Sequence, residues 1–167
     1  MFDVFQSGSN LLWQPSSTLV GTTTTTRLLN YQLVPIPFTV NSIAQSATTD
    51  MQPFDNAVAQ GTPRISMGWS GWIVGLSYRM TGAPSGGGAS ALNVWATVAG
   101  AQTWNAFTIA SGGSAASQTT QAVGTTGMSF TASQGLGIQL VTNGTYAPNG
   151  TRNMSAILWV ALEYDGA

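Results

Sequence analysis

Asp50 and Asp55, with Asn56 beside them, come nearest in type and spacing to a chemical site, in Thr49-Asp50-Met51-Gln52-Pro53-Phe54-Asp55-Asn56. Paired carboxylates can divide the acid and base roles of glycoside hydrolysis, and oxygen ligands of this kind suit Ca²⁺. The other acids, Asp3, Glu163 and Asp165, stand near the two ends of the sequence. A solvated loop with Asx-type turns accounts for residues 49–56 with fewer assumptions, and it is the reading adopted. The rest of the inventory argues against catalysis. There is no His, Cys or Lys, so a triad base, a thiol nucleophile and a phosphate-cradling lysine loop are all lacking. A Gly-x-Ser-x-Gly elbow is also missing. The expectation is a protein that is not an enzyme, with no catalytic residues, no cofactor and no metal.

Charge is scarce as well: 5% of the 167 residues, where soluble domains average ~25%. Four Arg and a net charge of −1 cannot form the basic stripe that phosphate recognition needs, so nucleic acid is not an expected partner. No apolar run reaches the ~18–20 residues of a membrane-spanning helix. The start of the sequence has an early acid and no basic or apolar leader region, so a soluble, unprocessed chain is expected. Disorder is disfavoured by 43% hydrophobic content at almost no net charge. A surface with so little charge is poorly protected against association, which suits a protein whose surface is covered in an assembly. The plainer alternative is a secreted Thr/Ser-rich β domain with a neutral surface. Three tripeptides match the glycosylation acceptor pattern, at Asn143, Asn149 and Asn153. Chance accounts for them in a chain this rich in Thr and Ser.

The elements that would have to position any site read as strands. Period-two alternation sets Trp72, Val74, Leu76, Tyr78 and Met80 on one face, with Ile73, Gly75, Ser77 and Arg79 on the other. Leu92–Val98 and Leu136–Val141 alternate likewise. Met154, Ala156, Leu158, Val160, Leu162 and Tyr164 form the clearest series. Shorter candidates are Gln32–Val40, Trp104–Ile109 and Met128–Ala132. Turn signals separate them: Thr81–Gly88, Ser111–Ser114, Gly124–Gly127, Asn143-Gly144 and Asn149-Gly150. Sustained helical periodicity is lacking. The pattern predicts an all-β fold: a sandwich or closed barrel of about eight antiparallel strands. The Pro35-Ile36-Pro37 kink forbids a central strand there, because each Pro removes a ladder donor. Residues 1–30, with the Thr22–Thr26 run, read as an extended arm and residues 31–167 as the domain. An ordinary first strand over Val4–Leu12 is the competing reading.

The aromatic residues carry the positive signal. Trp159 lies beside Ile157 and Ala161, opposite the regular apolar series of its strand, so both faces of that strand need cover. Trp95, between Asn93 and Thr97, is likewise on the irregular face. Core packing is one reading of each Trp; a subunit interface, where Trp and Tyr are enriched, is the other. The candidate interface is Phe2, Phe5, Leu11, Leu12 and Trp13 of the arm, together with Trp69, Trp95, Ile157 and Trp159 of the domain.

Residues 65–164 resemble small jelly-roll proteins of tailed-bacteriophage virions. The resemblance rests on Gly71-Trp72-Ile73-Val74-Gly75-Leu76-Ser77-Tyr78-Arg79-Met80, a Gly-rich turn and Ala91-Leu92-Asn93-Val94-Trp95-Ala96-Thr97-Val98. It continues in Phe130–Ile138, a loop ending Ala147-Pro148, and the strand Ala156–Tyr164. Gln134 stands where that pattern usually has an acid. The resemblance implies a capsid decoration (cement) protein on the capsid surface of the virion, often trimeric, with a homotrimer and a major capsid protein as partners. Its alternatives are a tail or fibre tip module that stacks loop Trp and Tyr on a glycan, and a single-jelly-roll major capsid protein. Clustering of Trp69, Trp95, Trp104 and Tyr146 in one concave patch would favour the glycan module; placement at subunit contacts would favour the cement protein.

Overall fold

The computed structural model describes residues 6–7, 10–11, 30–54, 64–82, 84, 92–110, 117–121, 128–147, 150 and 152–164. Its strand segments, in chain order, are β1 (Gln6–Ser7), β2 (Asn10–Leu11), β3 (Asn30–Val40), β4 (Thr48–Asp50), β5 (Gln52–Pro53), β6 (Ile65–Ser66) and β7 (Gly71–Met80). They continue with β8 (Leu92–Val98), β9 (Ala101–Ile109), β10 (Ser117–Gln121), β11 (Ser129–Phe130), β12 (Gly135–Thr142) and β13 (Met154–Tyr164). The described residues include no helix.

Two antiparallel sheets share one core. The six-stranded sheet runs β10-β7-β13-β3-β5, with β11 on the same edge of β7 as β10. The five-stranded sheet runs β4-β12-β8-β9, with β6 beside β4 on β12. Several segments are thus pieces of one edge strand, which is why they outnumber the roughly eight strands the sequence suggests. The all-β sandwich expected from the alternation is the fold observed, and it is jelly-roll-like as the resemblance implies. Strands β1 and β2 pair with each other and, among the described residues, with no strand of the two sheets; the rest of Val4–Leu12 lies outside the described residues.

The alternation of β13 becomes burial directly. Met154, Ala156, Leu158, Val160 and Leu162 are buried; Ile157, Trp159 and Ala161 are half-buried on the other face. In β8 the same holds for Leu92, Val94, Ala96 and Val98. The two inner faces interdigitate: the Tyr78 ring of β7 meets the Phe107 ring of β9 edge to face, centroids 4.8 Å apart and planes at 76°.

Three local features depart from the sequence reading. In β7 the register against β13 steps at Trp159/Val160, where Gly75 faces Trp159 but Ile73 faces Val160. Val74 is the extra residue of a β-bulge, and a bulge reverses the parity of everything before it. Ile73 therefore joins Leu76, Tyr78 and Met80 in the core, while Trp72 turns outward at 36% exposure. The expected grouping of Trp72 and Val74 with the core face fails for that reason. Secondly, β3 runs straight through Pro35 and Pro37, paired with β13 from Tyr164↔Asn30 to Met154↔Val40. The Pro37 carbonyl accepts from Phe54 N at 3.0 Å, on the side away from β13. In an antiparallel strand the N and O of one residue point the same way, so both prolines turn their missing donors toward the outer edge. There β5 pairs only at Phe38 and Thr39, and β3 is an edge where the prolines lie, as the donor rule requires. Thirdly, Asp50 closes strand β4 instead of sitting in a loop.

Loops are tied down by side chains. The Thr142 hydroxyl donates to Ala44 O at 2.7 Å and accepts from Ala47 N at 2.9 Å, anchoring the segment before β4. The expected Asn143-Gly144 turn forms, with Asn143 Oδ1 accepting from Thr145 N at 3.0 Å. This turn delivers Tyr146 into the core at 0% exposure. Among the described residues its hydroxyl has no hydrogen-bond partner, and neither has the buried Nε of Arg152. Burial raises the Tyr146 hydroxyl above its ordinary value, partly opposed by the Arg152 charge, and burial alone raises Tyr78.

An alkaline limit follows. With the folded value raised, the unfolded chain ionises first, so this contribution is complete below pH ~10 and is lost as pH climbs above it toward the folded values. With no His or Cys present, no side chain ordinarily titrates between pH 6 and 8. Unfolding stability is expected to be flat across that range and to fall above pH ~10. Tyr146→Phe is expected to raise stability at pH 7 by about 1 kcal/mol, because it removes an unpaired buried hydroxyl, and to soften the alkaline fall. Urea unfolding from pH 6 to 11.5 measures both; a Tyr146→Phe chain less stable at pH 7 would contradict the account.

Candidate functional site: the outer face of the six-stranded sheet

The two sheets present different outer faces. On the five-stranded sheet the outward residues of β8, β9 and β12 form an amide and hydroxyl network that reaches the Asp50 carboxylate of β4. Gln102 Nε2 donates to Gln139 Oε1, and Gln139 Nε2 donates to Asp50 Oδ1 at 3.1 Å. The Thr108 hydroxyl donates to Asn93 Oδ1 at 2.9 Å, and Asn105 Nδ2 to the Thr108 hydroxyl at 3.1 Å. Trp95 sits half-buried in this network, opposite Gln139 and Asn105. A face whose polar groups already satisfy one another is at home in water.

The outer face of β7, β13 and β3 is apolar. Trp159 stands opposite Pro35 on one side and Gly75 on the other. Ile157 lies opposite Pro37 and Ser77, and Ala161 opposite Leu33 and Trp72. Leu33 is 57% exposed, and Pro35 and Pro37 are exposed. Directly opposite residues share a face in an antiparallel ladder, so these side chains form one contiguous patch. A contiguous exposed apolar patch bordered by polar residues marks a contact surface.

Polar recesses bound the patch. At one end a hollow of about 400 Å³ is lined by Ser70, Trp72, Gln134 and Glu163 among others. At the other a hollow of about 300 Å³ is lined by Arg79, Met80, Thr81, Asn153 and Ser155. Gln134 is held in place by Thr131 N, which donates to its Oε1 at 2.8 Å.

The structure brings Ile157 and Trp159 together on this patch. Trp95 is on the opposite side of the sandwich, and Trp69 is 53% exposed in the turn before β7. Phe2, Phe5, Leu12 and Trp13 lie outside the described residues, and only the backbone of Leu11 is described. Trp104 packs against the core and Tyr146 is inside it. Trp69, Trp95, Trp104 and Tyr146 therefore do not form one concave patch. Leu33, Pro35, Pro37 and Trp72 were missed by the sequence reading. Their signal was present in β3, where apolar Leu33, Pro35 and Pro37 alternate with the buried Ile36 and Phe38. Asp55 and Asn56 fall outside the described residues, and no cluster of three metal-ligating side chains occurs among those described.

No protein-family model matches the chain, and no curated protein does. Among solved structures it is similar to a chain of the cyanophage Pam1 capsid asymmetric unit. That similarity covers 88% of this chain and 96% of that chain, at 11% identity and a TM-score of 0.50. At such identity it speaks for the fold, which the two share over nearly their whole lengths.

Proposed function

We propose that the chain is a structural protein of a phage capsid, and more narrowly a decoration (cement) protein. In this reading it sits on the capsid surface as a homotrimer and stabilises the head by bridging neighbouring major capsid subunits. The observation that carries the reading is the end-to-end likeness to a chain of a capsid asymmetric unit, on a molecule that leaves one sheet face apolar. Phe2, Phe5, Leu11, Leu12 and Trp13 of the arm serve as its capsid-binding segment, adding an edge strand or filling apolar pockets on the neighbour. The scarcity of charge supports burial over ion pairing as the source of affinity.

Electron microscopy of the virion that carries the chain, with copy number from quantitative mass spectrometry, tests this. Density for three copies per three-fold site on the outside of the shell is the expected result. Copies confined to the tail tip would replace the reading with a recognition module, and a copy number equal to the whole shell lattice would make the chain the capsid floor.

Salt distinguishes the forces. The Debye length shrinks from ~10 Å at 0.1 M to ~3 Å at 1 M, and exposed ion pairs contribute only ~0–1 kcal/mol each. Apolar burial at ~25 cal/mol/Å² is the larger contribution and is not screened. Particle occupancy is expected to change by less than about tenfold between 50 mM and 1 M NaCl. A steeper loss would assign the attachment to a few charges, with Arg79 and Arg152 the first to examine.

A further inference from the structure

The apolar face carries its described charges only at its ends. Arg79 is exposed on β7 opposite Ser155, and Glu163 stands at the far end of β13 on the same face. Neither has an oppositely charged partner among the described residues. From Ser155 to Glu163 the strand covers roughly 27 Å at about 3.4 Å per residue, and Trp159 is the midpoint. A two-fold axis lying between two such faces, parallel to the sheets and perpendicular to β13 at Trp159, therefore exchanges the two ends.

We infer that this face seats the same face of a second copy, with the two β13 strands antiparallel, so that Arg79 of each copy enters the Glu163 recess of the other. Charge decides the occupant and its sense. A two-fold pairing makes two Arg79–Glu163 contacts around an apolar centre, the self-complementary pattern of an isologous interface. Packing three copies about an axis along β13 would gather like charges at each end. The inference deepens the assembly reading above: trimers built through other surfaces become linked to neighbouring trimers across this contact. It does not depend on capsid binding.

The full chain has no Cys, so Trp159→Cys introduces a single thiol near the proposed axis. A short bismaleimide is expected to convert this variant to a covalent dimer at micromolar concentration. Trp95→Cys, on the opposite side of the sandwich, is expected to stay uncrosslinked. In sedimentation the wild-type chain should populate even-numbered species, a dimer or a dimer of trimers. Arg79→Glu and Glu163→Arg are each expected to weaken this association at least tenfold, since each creates two like-charged contacts in a desolvated interface. The double variant restores both pairs and should return to within about threefold of wild type. Trimers alone, equal crosslinking at 95 and 159, or a double variant as weak as the singles would overturn the inference. In that last case the face seats a different protein and the decoration reading survives; even-numbered species that never bind particles would do the reverse.

Discussion

Leu158→Ala is expected to cost about 2–5 kcal/mol of unfolding free energy, while Trp159→Ser, one residue further on, is expected to leave the fold nearly intact and weaken assembly. Leu158 is 0% exposed, with Ile36 of β3 and Leu76 of β7 on either side in the ladder. It belongs to the single cluster fed by both sheets, so the void left by its loss is bordered by strands that cannot close in. For a chain of this length each kcal/mol moves Tm by roughly 2–4 °C, which puts the drop on the order of 10 °C. Trp159 points the other way. Its removal takes contacts from a half-exposed face, and surface changes of this kind usually cost well under ~1 kcal/mol. Thermal unfolding must be compared at one protomer concentration, because self-association raises apparent stability by mass action. Equal Tm losses in the two variants would mean that the outward face of β13 is part of the fold's own core.

How much of this was written in the sequence depends on whether the pleat ran unbroken. In β13 it does, and burial follows the alternation residue by residue; in β8 it does so as far as Ala96, beyond which Thr97 is buried together with Val98. In β7 the one-residue bulge at Val74 shifts parity, and nothing in Gly71–Met80 announces it except Gly75, the residue that faces Trp159 across the ladder. In β9 two register shifts, around Trp95 and Ala96 on the partner strand, bring Trp104 opposite Ala96 and toward the core. Period two alone would not put it there. The pairing of β13 with β3 and β7 depends on contacts between distant parts of the chain, which local pattern does not encode. The candidate face was legible where it departs from alternation, at Ile157 and Trp159. It was hidden at Leu33, Pro35 and Pro37, because two prolines read as a break and not as an edge whose missing donors face outward. Tyr146 was read as a loop residue; the Asn143 turn carries it inward, and a lone aromatic between Gly and Pro signals no such thing.

Deleting residues 1–29 is expected to leave a folded chain that binds particles at least about a hundredfold more weakly. The folding half of this expectation rests on the ladder. The β3 strand begins at Asn30, which pairs with Tyr164, so every described pairing of the two sheets survives the cut. The affinity half rests on the arm's side chains, since Phe2, Phe5, Leu11, Leu12 and Trp13 crowd into so short a stretch. Fully burying one large apolar side chain contributes about 1.5–3 kcal/mol. Ordering these residues against the particle opposes this, at about 0.5–1.5 kcal/mol for each immobilised side chain. A net gain of about 3 kcal/mol from five such residues is a modest demand, and at about 1.4 kcal/mol per tenfold it exceeds a factor of a hundred. Particle occupancy measured against free protein concentration, for the intact and the shortened chain, gives the ratio directly. Circular dichroism and Tm of the shortened chain report separately on folding. If it decorates particles as tightly as the intact protein, the attachment belongs to the domain alone. The apolar face of β13 would then have to meet the capsid itself, in competition with the second copy assigned to it above.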